Sequence, residues 1–213
     1  SENFPGEIAP LAGKPVVVSI FGGTPEEFGK VASWFPDAEA FELNLSCPHA
    51  EGYGAAIGVN PRVVKECTEI VKAYGKPVWV KLTPNVTDIK VIGKAAEEGG
   101  ADALVAINTV KAMRISTELR RPMLGNKFGG LSGKAVFPVA VRALYDLYEA
   151  VDIPIIGCGG IDSTDNVLEM MMAGASAVEI GSAVYDNFNV FSDIVSDLYA
   201  EDGIPAEEIV GCA

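Results

Sequence analysis

Short apolar runs alternate with longer amphipathic segments along the whole chain. The apolar runs are nearly continuous, which is typical of parallel strands covered on both faces. They predict strands at 15–20, 40–45, 77–82, 103–107, 154–157 and 177–180. The segments between and after them predict helices at 24–34, 61–74, 88–98, 137–150, 163–173 and 188–200. This alternation predicts a parallel α/β fold built from about six βα units.

Capping residues mark the ends of several predicted helices. Thr24 and Asn60 each precede a proline, which places a side-chain cap before proline at the first helical position. Gly75 and Gly174 fall where a helix commonly ends in a left-handed residue. Six such units can form either an open doubly wound sheet or part of a (β/α)8 barrel.

One connection, from Asn108 to Gly133, contains no clear strand or helix. A segment of this length inside a compact domain is usually an active-site loop or a disordered insertion. It contains the run Gly-Gly-Leu-Ser-Gly at 129–133, whose glycines allow a ligand to approach the backbone closely. The alternative is a glycine-rich turn ahead of the next helix.

Length and composition limit the domain count and the kinds of partner. A chain of 213 residues predicts a single domain over 1–213. The net charge of −13 argues against nucleic acid or anionic membranes as partners. The chain has one histidine and four cysteines without metal-ligand or redox spacing, so we expect no metal site and reduced thiols in a cytoplasmic protein. The cysteines are Cys47, Cys67, Cys158 and Cys212.

A polar cluster, Asn-Leu-Ser-Cys-Pro-His at 44–49, leaves the second predicted strand. Cys47 carries a thiol that can act as a base or a nucleophile when its pKa is lowered. The Asn44 amide can both donate and accept hydrogen bonds to a planar ligand. The alternative interpretation is a strand end that contains a buried free cysteine.

The carboxyl ends of parallel strands meet at one edge, so we expect the residues that follow each strand to lie on a common face. Lys81 lies within a strand, where a lysine is costly to bury without a partner such as a polar ring edge; the alternative is a lysine that reaches the surface. Glycine turns after the last two strands, with the Ser182 hydroxyl, predict a phosphate site. The set suits a flat, polar, phosphate-bearing ligand and comprises 21–23, 44–49, 81–85, 108–109, 158–160 and 181–182.

Six motifs, in order along nearly the whole chain, resemble the FMN barrel of the dihydroorotate dehydrogenase family. The resemblance is closest to class 1 enzymes, which use cysteine as the base, and the segment 120–130 resembles the class 1B subgroup and its archaeal members. Dihydropyrimidine dehydrogenase contains a similar domain and is the alternative; a non-catalytic phosphate-binding α/β module is an alternative of another class. The motifs are Asn-Leu-Ser-Cys-Pro-His, Val-Lys-Leu-Thr-Pro-Asn, Ile-Asn-Thr, Gly-Gly-Leu-Ser-Gly, Gly-Cys-Gly-Gly-Ile and Glu-Ile-Gly-Ser.

The resemblance implies a role for each matching residue in the oxidation of dihydroorotate to orotate, a step of pyrimidine synthesis. Cys47 would remove the C5 proton of dihydroorotate while the C6 hydride passes to the flavin. The pyrimidine would be hydrogen-bonded by Asn44, Asn108 and Thr109. Lys81 would contact the flavin ring. The ribityl chain and phosphate of FMN would be lined by Gly130, Gly159, Gly160, Gly181 and Ser182.

The chain departs from the family pattern at two places. His49 stands where many members have asparagine, so its contact with substrate is less defined. Two further strands that the family carries before Pro15 are not in this sequence. We therefore expect a partial (β/α)8 barrel that starts in its third unit, is poorly stable alone and binds FMN weakly or not at all. The class 1B resemblance also implies a homodimer and an electron-transfer subunit that carries FAD and a [2Fe–2S] cluster and reduces NAD⁺.

Overall fold

The structure is a computed structural model that describes residues 13–46, 57–200 and 206–213. The expectations for Cys47 and His49 lie outside these described residues. None of the helices within the described ranges is long and apolar enough to cross a membrane.

The described residues contain ten strands and seven α-helices, joined by turns and loops. The strands are β1 (Val17–Ile20), β2 (Ala40–Asn44), β3 (Val78–Leu82), β4 (Ala103–Ala106), β5 (Val110–Ala112), β6 (Ile115–Ser116), β7 (Arg121–Pro122), β8 (Gly129–Leu131), β9 (Ile155–Cys158) and β10 (Ala177–Glu179). The helices are α1 (Pro25–Ala32), α2 (Pro61–Lys72), α3 (Ile89–Glu98), α4 (Phe137–Tyr148), α5 (Thr164–Met172), α6 (Val190–Ala200) and α7 (Ala206–Ile209). Two 3₁₀ turns cover Lys134–Val136 and Ser182–Tyr185.

The main sheet has six strands in the order β1-β2-β3-β4-β9-β10. The pairs β1–β2, β2–β3 and β9–β10 are parallel. The order follows the chain without reversal, as in consecutive units of a (β/α)8 barrel, whereas a doubly wound sheet reverses its order at a switch point. The predicted fold class, a parallel α/β barrel type with six units present, is confirmed.

The described residues divide into two compact units, one within 13–82 and 90–104, and the other within 83–89 and 105–213. In the first unit, helices α1 and α2 begin as predicted. The Thr24 hydroxyl oxygen accepts a hydrogen bond from the Glu27 amide at 3.3 Å, and the Asn60 side chain accepts one from the Arg62 amide at 3.1 Å. Phe28 and Val64 of these helices are fully buried, so the caps start helices whose inner faces form the core.

Cys67 belongs to this core. It lies on α2 with its side chain fully buried, and burial raises the pKa of its thiol to about 12, with further contributions from Glu66 and Glu26. A thiol with so high a pKa stays protonated near neutral pH and is a weak nucleophile. Cys67 therefore acts as a small apolar packing residue.

In the second unit, helices α4 and α5 pack against β9 around Gly157. A Cβ added to Gly157 would lie 3.1 Å from the Met170 sulfur and 3.2 Å from a Leu144 methyl carbon. Both of these side chains are fully buried. A larger residue at 157 would have to displace them from the core.

The expectation of no clear strand between Asn108 and Gly133 is wrong. Strands β5 and β8 pair antiparallel, and so do β6 and β7. Strands of two or three residues are too short to show an alternating pattern, and β8 contains two glycines, which are depleted in strands. Pairing across the segment, rather than local propensity, defines these strands.

We predict that alanine is tolerated much better at Gly75 than at Gly174. Both glycines have positive φ, +74° and +114°, but an added Cβ meets nothing within 4 Å at Gly75 and would lie 2.3 Å from the Tyr148 ring at Gly174. Gly75→Ala should lower the free energy of unfolding by about 1 kcal/mol through backbone strain. Gly174→Ala should lower it by about 3 kcal/mol or more, because overpacking adds to the strain. Urea titration of the full-length variants measures both losses in the free energy of unfolding. Equal losses would contradict the close packing of Gly174 against Tyr148.

Candidate active site

Four polar side chains lie on one face of the first three strands. The register places Ser19 opposite Glu42, and Asn44 opposite Lys81. Residues two apart on a strand share a face, so Glu42 and Asn44 point to the same side. These four residues, Ser19, Glu42, Asn44 and Lys81, are called the polar row below.

Glu42 is at the centre of the polar row. Glu42 is only 7% exposed. Its Oε1 accepts a hydrogen bond from the Ser19 hydroxyl at 2.8 Å, and its Oε2 lies 3.4 Å from Lys81 Nζ. A carboxylate or an ammonium is costly to bury alone, and the pair neutralises both charges. Lys81 was expected to need a partner, and the structure supplies a carboxylate that sequence reasoning overlooked. The available signal was a glutamate inside the apolar run 40–45.

Asn44 ends β2 and turns the chain. Its side-chain oxygen accepts a hydrogen bond from the Ser46 amide at 3.2 Å, which is an Asx turn. The Ser46 hydroxyl oxygen is buried and has no hydrogen-bond partner among the residues that the structure describes. The Asn44 amide and the Ser46 hydroxyl therefore both lie at the carboxyl end of β2, just before Cys47 in the sequence.

In the second unit, Asn85 ties the segment after β3 to the segment after β4. Its amide nitrogen donates to the Thr83 hydroxyl at 2.9 Å and to the Thr109 carbonyl at 3.0 Å, and its oxygen accepts from the Lys111 amide at 2.8 Å. Asn108 accepts a hydrogen bond from the Thr109 amide at 2.8 Å. Asn85 thus fixes the backbone around Thr109. Sequence reasoning placed Asn85 at a strand end without a role, because partners so distant in sequence leave no local signal.

Gly130 packs directly against Thr109. A Cβ at residue 130 would lie 2.1 Å from the Thr109 hydroxyl oxygen, so any side chain there would push Thr109 aside. The pairing of β5 with β8, which sets Lys111 opposite Gly130, produces this contact. The structure therefore brings together three of the predicted site residues, Asn108, Thr109 and Gly130.

A second group of predicted residues meets near the start of α4. An added Cβ at Gly160, where φ is +77°, would lie 2.9 Å from the Gly133 carbonyl oxygen and 2.8 Å from the Phe137 amide nitrogen. One added at Gly133 would lie 3.8 Å from the Ser182 hydroxyl oxygen. Gly133, Gly160 and Ser182 are called the glycine–serine cluster below. Bare backbone, a hydroxyl and the amino end of a 12-residue helix are together suited to an anion.

Two other predicted glycines flank the glycine–serine cluster. Gly159 has φ of +128°, and an added Cβ there would lie 3.1 Å from the Ala140 side chain, whereas Gly181 faces open space. Lys134, which follows Gly133, forms an ion pair with Asp162. The hydrogen bond and the charge of Asp162 raise the pKa of the Lys134 ammonium, so this group stays cationic at neutral pH.

The sequence is similar to proteins of one known family. A family model described as dihydroorotate dehydrogenase matches residues 9–201. A relative from Methanocella arvoryzae, named dihydroorotate dehydrogenase B (NAD(+)), catalytic subunit, is 56% identical over 211 residues, covering 97% of this chain and 70% of the relative. Relatives of the same name occur in Methanosarcina mazei, with 62% identity over 84% of this chain and 58% of the relative, and in Pyrococcus abyssi, with 53% over 93% and 69%.

The chain spans between 58% and 70% of the length of these three curated relatives. The family model covers most of the chain and includes every residue of the polar row and of the glycine–serine cluster. The chain belongs to the dihydroorotate dehydrogenase family.

Proposed function

We propose that the full-length protein oxidises dihydroorotate to orotate with bound FMN, as a step of pyrimidine synthesis. Membership of the dihydroorotate dehydrogenase family supports the reaction. The observation that carries the choice of cofactor is the glycine–serine cluster, where Gly133 lies beside the Ser182 hydroxyl and Gly160 lies against Gly133 and the start of α4.

The residues present fit FMN by their chemistry. The glycine–serine cluster can donate hydrogen bonds to a phosphate from backbone N–H groups and the Ser182 hydroxyl. Gly181, where an added Cβ meets nothing within 4 Å, leaves room for a ribityl chain, whereas Gly130 and Gly159 let Thr109 and Ala140 pack closely against the backbone. Lys81 offers a cation to the electron-rich edge of a flavin ring, and in its partly buried position it is paired with the Glu42 carboxylate.

The chain's own residues would bind the substrate and move its proton. Asn44, Asn108 and Thr109 offer both donors and acceptors, as the amide and carbonyl groups of a pyrimidine require. Asn85 and Gly130 hold Thr109 in place, so the site needs little rearrangement on binding. Cys47 would take the C5 proton as general base. Bound FMN would supply the acceptor for the hydride from C6.

The partners are part of the same proposal. The relatives are named as catalytic subunits of an NAD(+) enzyme, which supports a separate electron-transfer subunit for the full-length protein. We expect that subunit to carry FAD and a [2Fe–2S] cluster, and we expect the catalytic subunit to form a homodimer. Within the described residues, no three His, Cys, Asp or Glu side chains are grouped to hold a metal ion.

The substrate is tested by anaerobic reduction of the bound flavin. The full-length protein should show a flavin absorbance band that bleaches on addition of dihydroorotate, because the substrate hydride reduces the ring. Uracil and thymine with a reduced nicotinamide are the matched comparison. Turnover of uracil or thymine without bleaching by dihydroorotate would support a dihydropyrimidine dehydrogenase-like reaction in its place.

Cys47→Ala should separate proton transfer from cofactor binding. We expect a rate loss of roughly 10²–10⁴-fold, the usual scale for removal of a general base, with FMN still bound. Cys67→Ala is the control for loss of a thiol from the core, and it should change stability more than turnover. If Cys47→Ala releases the flavin together with the activity, Cys47 has a structural role and the assignment fails.

Ser182→Ala should weaken the binding of FMN but not of riboflavin, which lacks the phosphate. Loss of one hydrogen bond to a charged group predicts a fall in FMN affinity of about 10-fold to 100-fold. Titration of the apoprotein with each flavin, followed by fluorescence, gives both affinities. Ser192→Ala, at an exposed position of α6, is the matched control. Equal losses of affinity for FMN and riboflavin would contradict the placement of the phosphate at the glycine–serine cluster.

A further inference from the structure

Glu42 is a buried acidic residue that the proposed reaction has not yet used. We propose that Glu42 is a positioning residue, which holds the Lys81 ammonium in the place where it contacts the flavin ring. This inference rests on the proposed function, because it concerns the FMN of that site.

The geometry divides the two oxygens of Glu42 between two neighbouring strands. Oε1 accepts the hydrogen bond from Ser19 on β1 at 2.8 Å, and Oε2 faces Lys81 on β3 at 3.4 Å. The Ser19 hydroxyl therefore sets the rotation of the carboxylate and turns its second oxygen towards the lysine. A carboxylate fixed in this way offers Lys81 one defined position instead of several.

Burial distinguishes this pair from surface ion pairs of the same unit. The side chains of Lys81 and Glu42 are 18% and 9% exposed, whereas those of Lys65 and Glu98 are 40% and 66% exposed. Exposed pairs contribute little to stability, and a buried pair often contributes no more than apolar residues would in its place. Stabilisation of the fold therefore does not explain well why Lys81 and Glu42 are paired in this partly buried place. A requirement to hold the Lys81 ammonium in one position explains it better.

The long side chain of a lysine normally extends its charge towards water. An ammonium carries three N–H donors, so Lys81 can contact Glu42 and a further acceptor at the same time. With the Glu42 charge removed, the Lys81 ammonium would adopt other rotamers, and its contact with the flavin would be lost. Glu42 would thus act on the flavin only through Lys81.

A double-mutant cycle on FMN affinity in the full-length protein tests this dependence. Glu42→Gln keeps an acceptor for Ser19 but removes the charge, and it should weaken FMN binding about tenfold, as expected for a lost hydrogen bond to a charged group. Lys81→Met should weaken binding at least as much. The double variant should bind FMN no more weakly than Lys81→Met, because Glu42 would act on the flavin through Lys81.

The controls separate positioning from folding. Glu98→Gln makes the same change in the exposed pair and should leave FMN affinity and the flavin spectrum unchanged. Glu42→Asp keeps the charge but shortens the side chain, and it should give a smaller loss in the same direction. It replaces Glu42→Gln in the cycle if that variant does not fold.

Two results would overturn the proposal. One is unchanged FMN affinity in Glu42→Gln, and the other is a double variant whose loss is the product of the two single losses. Failure of the proposed reaction is distinguishable, because dihydroorotate would then not bleach the wild-type flavin while the affinity cycle still decides the role of Glu42. A wild-type protein that binds no FMN would overturn both.

Discussion

The parallel register of β1, β2 and β3 is the constraint on which the polar row depends. It places Ser19 opposite Glu42 and Asn44 opposite Lys81 on one face. Side chains alternate along a strand, so a slip of one residue would turn Glu42 to the other face and separate it from both partners. The buried charges themselves oppose such a slip, because either one alone would be left unpaired.

Within the second unit, the candidate site residues are brought together mainly by glycine backbone. Gly130 allows Thr109 to lie against the strand, and Gly160 lies beside the Gly133 carbonyl and the start of α4. Three hydrogen bonds from the Asn85 side chain hold the neighbouring chain segments. The first unit thus offers paired charges, and the second offers amide and hydroxyl donors.

Sequence alone predicted the main elements well because the strands β2, β4 and β9 are buried on both faces and several helices carry clear start signals. Lys81 and Ser182 were singled out from sequence as candidate site residues, since a lysine in an apolar strand and a serine after a glycine turn are locally unusual. Glu42 and Asn85 were missed because their roles depend on partners on other strands or loops. The paired strands in 108–133 were missed because two or three residues give no periodic signal.

A crystal structure of the full-length protein with FMN tests the central claim most directly. We predict that Lys81 Nζ contacts both Glu42 and the flavin ring, with the phosphate on backbone N–H groups and the Ser182 hydroxyl of the glycine–serine cluster. A phosphate bound elsewhere, or a Lys81 side chain directed away from the flavin, would contradict the account.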